Sequence, residues 1–224
     1  RMKEVSYLDP IKKKWFTRLL WINPNPEGRI LGNNYSAALA IMKSGQRRLD
    51  PQYHDLVNDA YREIVDQGWS EFVPREQENR TDHPTYVLTS RTVVKPERKT
   101  TKARVIINAS KVCPITKQTL NNKLMPGPNL LPQIMEVLMV ARKYKYIFTV
   151  DISKMFFQVL LGAEEDRDMC RYIWDDFSGD RPKMYRFTCL PFGFISSPFQ
   201  AMWCLHETAR RYSTDHRAVG QSRT

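Results

Sequence analysis

TVDISKMFFQV at residues 149–159 and YRFTCLPFGFISSPFQ at 185–200 are the two stretches on which the fold turns. The first continues a short apolar run, Tyr146-Ile147-Phe148-Thr149-Val150, whose length and aromatic and β-branched content predict a buried strand ending at Asp151. A carboxylate at the end of such a strand suits a hard divalent cation, because Mg²⁺ prefers oxygen ligands and commonly takes one or two protein carboxylates beside substrate phosphates. The same aspartate also suits an ordinary N-cap, and the local pattern leaves both roles open. Between the two stretches, Cys170 to Trp174 and Met184 to Leu190 read as a strand hairpin around the polar turn run Asp175 to Pro182. The second stretch leads into a helix that begins near Ser197, holds Pro198 in its first turn and continues past His206.

Upstream, apolar residues from Ala37 to Met42 predict a helix with an asparagine near its N-cap, running from Asn34 to about Leu49. A second helix follows, with Asp50 to cap it, Pro51 at its first position, and Tyr53, Leu56, Val57, Ala60, Tyr61, Ile64 and Val65 at helical spacing. Gly68 ends it. The period then shortens, and Thr85 to Ser90, Thr92 to Lys95 and Arg104 to Asn108 read as strands of a small sheet, with a charged turn between the last two. Pro126 to Pro132 breaks the chain before a helix expected over Gln133 to Tyr144, with Ile134, Val137, Leu138 and Ala141 on one face. Residues 1–32 carry two tryptophans, the basic run Lys12-Lys13-Lys14 and the turn cluster Asn23-Pro24-Asn25-Pro26, and read as an extended lead-in. The last twelve residues, Ser213 to Thr224, read as a polar tail.

The composition favours an anionic partner. Lysine and arginine number 35 against 24 acidic residues, a net charge of +11 over 224 residues, while 42% hydrophobic content is ordinary for a chain with a real core. Nucleic acid is the first candidate and an anionic membrane surface the second. No apolar stretch is long enough to span a bilayer and no signal peptide opens the chain, so the expected setting is intracellular, cytoplasmic or within a virus-like particle. The four cysteines, Cys113, Cys170, Cys189 and Cys204, form no CxxC pair, and Cys204 with His206 supplies at most two of the four ligands zinc takes.

Taken together with KARVIINAS at 102–110, LNNKLMPGPNLLPQIMEVL at 120–138 and NNYSAAL at 33–39, the two stretches resemble the reverse transcriptases of LTR retrotransposons, especially those of BEL/Pao type. The resemblance spans about 190 residues, far more than a lone motif. It implies an α+β fold, the fingers and partial palm of a reverse transcriptase with an antiparallel sheet backed by helices. The fingers would lie mainly at 33–125 and the palm at 126–212, with a soft boundary. It implies RNA-directed DNA polymerase activity with two Mg²⁺ ions, on an RNA or DNA template-primer and deoxynucleoside triphosphates, within a longer Pol polyprotein.

Asp151 matches the first catalytic, metal-binding aspartate, with the Ile152 carbonyl as a further metal ligand. Phe156 matches the aromatic residue beneath the incoming sugar that blocks a ribose 2′-hydroxyl, against the plainer role of core packing. Arg104 matches the arginine that meets the triphosphate, with Lys102 nearby; a planar guanidinium suits phosphate, although a strand arginine is more often simply solvated. Phe192 and Gly193 lie in the LPFG element that shapes the nucleotide pocket, and Pro198 in the SSP element of the template grip. Asn108 departs from the aspartate of the related RVVFDAS pattern.

The family places a YxDD hairpin with two more catalytic carboxylates after SSPFQ, and no YxDD occurs in this sequence. Tyr172-Ile173-Trp174-Asp175-Asp176 mimics it, but precedes LPFG and falls at the hairpin turn. Two-metal transfer needs bridging carboxylates, so the expectation is little or no polymerase activity from this chain alone. The alternative is a non-catalytic nucleic-acid-binding remnant of a degenerate element.

Overall fold

The computed structural model describes residues 1–99 and 101–212; the polar tail expected at 213–224 lies outside them. The chain opens with a turn of helix, α1 (Met2–Val5), and the strands β1 (Ser6–Asp9) and β2 (Lys14–Thr17). The short α2 (Pro26–Arg29) precedes the longer helices α3 (Tyr35–Arg47) and α4 (His54–Asp66). Then come β3 (Ser70–Phe72), α5 (Arg75–Glu78), β4 (Val87–Val94), β5 (Ala103–Asn108) and α6 (Ile134–Ala141). The last part holds β6 (Val159–Leu161), α7 (Glu164–Asp168), β7 (Arg171–Trp174), β8 (Lys183–Phe187) and α8 (Ser197–Tyr212).

The strands form two sheets, one of order β1-β2-β6 and one of order β3-β8-β7-β4-β5. Antiparallel pairing dominates, as expected, but β4 runs parallel to β7 and β2 parallel to β6. Each parallel contact joins segments far apart in sequence, so no hairpin signal announces it. The larger sheet draws β3, β4 and β5 from before residue 126 and β7 and β8 from after it.

Tyr86, Val87, Leu88, Thr89 and Ser90 are buried in succession because β4 is covered on both faces. One face meets Ala38 and Met42 of α3, where Val73, Val87, Ile173 and Met184 close a small core. Opposite, Leu88, Ile107, Tyr172 and Phe187 pack with Val57, Tyr61 and Ile64 of α4 in the main core. Tyr61 stacks on Trp174 with ring centroids 5.3 Å apart, and its hydroxyl donates to Ser90 Oγ at 3.2 Å.

The α4 boundaries match their sequence signals. Asp50 accepts from the Gln52 N–H at 3.1 Å across a single 3₁₀ turn that begins at Pro51. At the other end Gly68, with φ of 69°, lets its own N–H reach the Val65 carbonyl at 2.9 Å and the Trp69 N–H reach Ile64 at 3.0 Å, a Schellman closure. Asn34 does not cap α3 through its side chain. Its amide instead pairs with both backbone groups of Val87, donating to the carbonyl at 2.5 Å and accepting from the N–H at 3.0 Å. The two strands expected around Arg91 are one, because Arg91 pairs with Ile106 inside an unbroken ladder from Thr89 to Val94 while its side chain stays exposed.

Two expectations are overturned. Residues 1–32 are no mere lead-in: β1 and β2 pair, β2 joins β6, and Leu19, Leu20, Trp21 and Leu31 are buried. Asp166, fully buried on α7, holds this segment by accepting from Arg18 Nε at 2.6 Å, the Leu19 N–H at 2.9 Å and Trp21 Nε1 at 2.9 Å. Tyr146 to Val150 forms no strand; it is irregular and exposed, with Phe148 at 90% and Val150 at 94%. No strand among the described residues pairs with it, and a strand without a partner leaves its backbone groups to water. The preceding helix forms over a shorter span than expected, Ile134–Ala141, and buries none of its residues.

Candidate functional site

The polar face of β5 alternates with its core face. Ala103 and Ile107 point inward, whereas Lys102, Arg104 and Asn108 are exposed and separated by the two-residue period of a strand. Neither cation has an ion pair among the described residues. The charged turn beneath them closes through the Lys95 N–H and the Lys102 carbonyl at 2.6 Å. Asn108 accepts from the Ser110 N–H at 2.9 Å, a local turn bond that an aspartate would make equally well.

The LPFG turn docks on the far end of this strand. Gly193 has φ of 89°, and a Cβ there would stand 2.6 Å from the Ile107 carbonyl oxygen, so both backbone conformation and space require glycine. Asn121 fastens the turn with both ends of its amide. Its Nδ2 donates to the Gly193 carbonyl at 3.0 Å and Ser110 Oγ at 2.8 Å, while its Oδ1 accepts from the Ile195 N–H at 3.0 Å. Nothing within LNNKL marks Asn121, because its partners lie on other segments, at Ser110 and at Gly193 and Ile195.

Phe156 lies on a 3₁₀ turn, Met155–Gln158, and meets Phe192 edge to face with centroids 4.8 Å apart. Phe157 meets the other side of the cluster, 5.0 Å from Phe192 and 4.8 Å from Trp69. Phe156 is half-buried, so the packing role and an open ring edge coexist. Pro198 is exposed in the first turn of α8, beside buried Ser197, whose hydroxyl donates to the Pro191 carbonyl at 2.9 Å.

Phe156, Phe192 and Gly193 are thus brought together, and Arg104 stands three residues up β5 from Ile107, about 10 Å away along the strand. Asp151 and Ile152 are exposed in the irregular stretch before the 3₁₀ turn, and no hydrogen bond or ion pair joins Asp151 to the other candidates. The intervening Lys154 adopts φ of 52°, with its ammonium 3.2 Å from Glu63 and over the Trp69 ring.

A carboxylate and a neighbouring carbonyl supply part of one Mg²⁺ shell. A two-ion centre needs bridging carboxylates, and the described residues contain no group of three or more His, Cys, Asp or Glu side chains placed to hold a metal. The described residues therefore do not fit the pair of ions that the resemblance implies.

Tyr172 to Asp176 is structural. Tyr172 is buried with its hydroxyl 2.7 Å from Ser70 Oγ, and burial pushes its phenol above the ordinary range. Asp175 and Asp176 accept from the N–H groups of Phe177 and Ser178, at 3.1 and 3.2 Å, as turn residues do. All four cysteines are buried free thiols. A cavity of about 460 Å³ opens elsewhere, lined by Asn34, Arg80, Arg171 and Arg181, and contains none of the candidate residues. No helix among the described residues is long and apolar enough to cross a membrane. No protein-family model matches the chain, and no curated protein matches it.

Proposed function

We propose that the chain is the fingers and part of the palm of a retroelement RNA-directed DNA polymerase, and that it binds template-primer and deoxynucleoside triphosphate. The observation that carries this reading is the docking of the Gly193 turn on the end of β5 with Phe156 packed against Phe192, which gathers three stretches of the resemblance at one place. In this reading Arg104 and Lys102 meet the triphosphate, Phe156 lies beneath the sugar and excludes a 2′-hydroxyl, and Phe192 and Gly193 shape the base pocket. Pro198 belongs to the template grip. Asp151, with the Ile152 carbonyl, supplies one part of the Mg²⁺ site.

The test is templated primer extension with Mg²⁺ and deoxynucleotides, run on this chain beside one continued through the downstream reading frame. Extension by the longer chain only, and its loss in that chain on Asp151→Asn, is the expected result. No extension by either, with nucleic-acid binding intact, would leave the binding-only remnant as the better reading.

A further inference from the structure

The basic run Lys12-Lys13-Lys14 has no part in the site above, and the fold gives it an unexpected setting. It closes the β1–β2 hairpin, with Lys12 and Lys13 in the turn and Lys14 at the start of β2, and Tyr7 pairs with Phe16 across the strands. Leu8 and Trp15 turn toward the core, so Tyr7 and Phe16 stand on the opposite, outer face. Their rings are nearly coplanar in orientation, 5° apart, with centroids separated by 5.1 Å. Lys12 holds its ammonium 5.6 Å from the Phe16 centroid, and Tyr7 remains 56% exposed. Lys14 reaches Gln158 from the same face.

Charge around the hairpin is one-sided. Between residues 1 and 18 there are six lysines and arginines against two acids, Glu4 and Asp9, and of the six Arg18 is taken up by Glu165 and Asp166. Asp9 is committed to the turn, accepting from the N–H groups of Ile11 and Lys12 at 2.9 and 2.8 Å. Lys12 and Lys13 have no ion pair among the described residues.

We propose that this hairpin is a second, separate binding site for single-stranded nucleic acid, in which a base stacks on Tyr7 and the lysines of the turn neutralise flanking phosphates. An exposed stacked ring beside lysines without ion pairs is what single-strand binding uses, because every base has a π-face and every nucleotide a phosphate. An anionic membrane is the less suitable partner: Ile11, 91% exposed, is the single aliphatic side chain at the tip, and one such residue anchors weakly. The site does not rest on the polymerase reading, since it needs neither Asp151 nor a metal.

The experiment is a titration of the full chain into a fluorescent 12-nucleotide oligo-dT, followed by anisotropy, without divalent cation or nucleotide and over a range of salt. Tyr7→Ala is expected to weaken binding roughly five-fold or more, the ordinary effect of losing one base stack. Tyr7→Leu, which keeps apolar cover over Phe16 but no π-face, is expected to weaken it comparably. Lys12→Ala with Lys13→Ala should lower the slope of log affinity against log salt by about 1.4, the release of two phosphate contacts on a single strand. Binding unchanged in both Tyr7 variants would overturn the proposal, as would attachment to phosphatidylserine vesicles without oligonucleotide binding. The titration contains no divalent cation, nucleotide or primer, so a failed polymerase assay and a failed hairpin site give different results.

Discussion

Gly193 and Asp168 show how much one side chain decides. Gly193→Ala must place a methyl 2.6 Å from the Ile107 carbonyl at φ of 89°, whereas Gly68→Ala at φ of 69° meets nothing within 4 Å. Both variants carry the strain of a left-handed residue, about 1–2 kcal/mol. Only the first adds a collision with backbone, so it should lose about 1–3 kcal/mol more in urea unfolding and undock the LPFG turn. Equal losses would mean that the close approach is unimportant.

Asp168 is fully buried and accepts from Arg171 Nε at 3.0 Å, Arg186 at 2.8 Å and His83 Nε2 at 2.7 Å. Burial pushes its carboxyl up, but the Arg171 and Arg186 donors and their charge outweigh it and hold it below the usual carboxylate range. A lowered carboxyl favours the folded state above the unfolded value of about 4, and that contribution disappears as pH falls through the folded value. Asp168→Asn should therefore cost about 3–5 kcal/mol at neutral pH, because buried Arg171 loses its counter-charge and Arg186 is left with Glu71 and Glu164 alone. It should also flatten the loss of stability between pH 5 and pH 3; a variant as acid-sensitive as the parent would assign that loss to other carboxylates. Neither role was legible in the sequence, since burial and partners come from segments as distant as His83 and Arg186. What sequence did mark was turn chemistry with a local cause, as at Asp50, Gly68, Asp175 and Asp176.

Elements whose signals are local formed where their residues predict. The α4 helix carries its cap, its apolar face and its closing glycine within its own length, and the β7–β8 hairpin carries its turn. The expectation failed where pairing is remote. Four-residue strands flanking a lysine-rich turn have no periodicity to read, and β2 gains its second neighbour only from β6, more than 140 residues later. Tyr146 to Val150 is the opposite case: its composition is that of a strand, but no neighbour among the described residues completes it.

Together with α6 it leaves an apolar segment facing water, in which Met139 is 63% and Phe148 90% exposed. Such a patch promotes self-association without contributing to the fold. Met139→Lys combined with Phe148→Lys is therefore expected to raise the concentration at which light scattering begins, while the unfolding free energy from urea titration stays within about 0.5 kcal/mol of the parent and the midpoint barely moves. A larger drop in the midpoint would show that the segment is packed in solution.

At the scale of the molecule, the beginning of the chain is built into its middle and its end. Trp15 donates from Nε1 to Thr208 on α8 at 2.8 Å and meets Trp203 edge to face, and Gln200 donates to the Arg18 carbonyl at 2.8 Å. Leu19 and Trp21 share the main core with Phe157, Val159 and Leu161, and Asp166 receives its short bonds from this same segment. Removing residues 1–21 would uncover that apolar surface and leave the Asp166 carboxylate buried with Arg29, 3.8 Å away, as its remaining cation. Each lost aromatic or leucine of this kind costs about 2–5 kcal/mol, and a buried carboxylate stripped of donors costs several more, against a total stability of about 5–15 kcal/mol. The arithmetic leaves no folded remainder. The truncated chain should show no cooperative urea transition by tryptophan fluorescence, where the full chain shows one. A cooperative transition of unchanged slope in the truncated chain would mean that residues 1–21 merely rest on a core that closes without them, and β1 and β2 would then be an attachment to the fold.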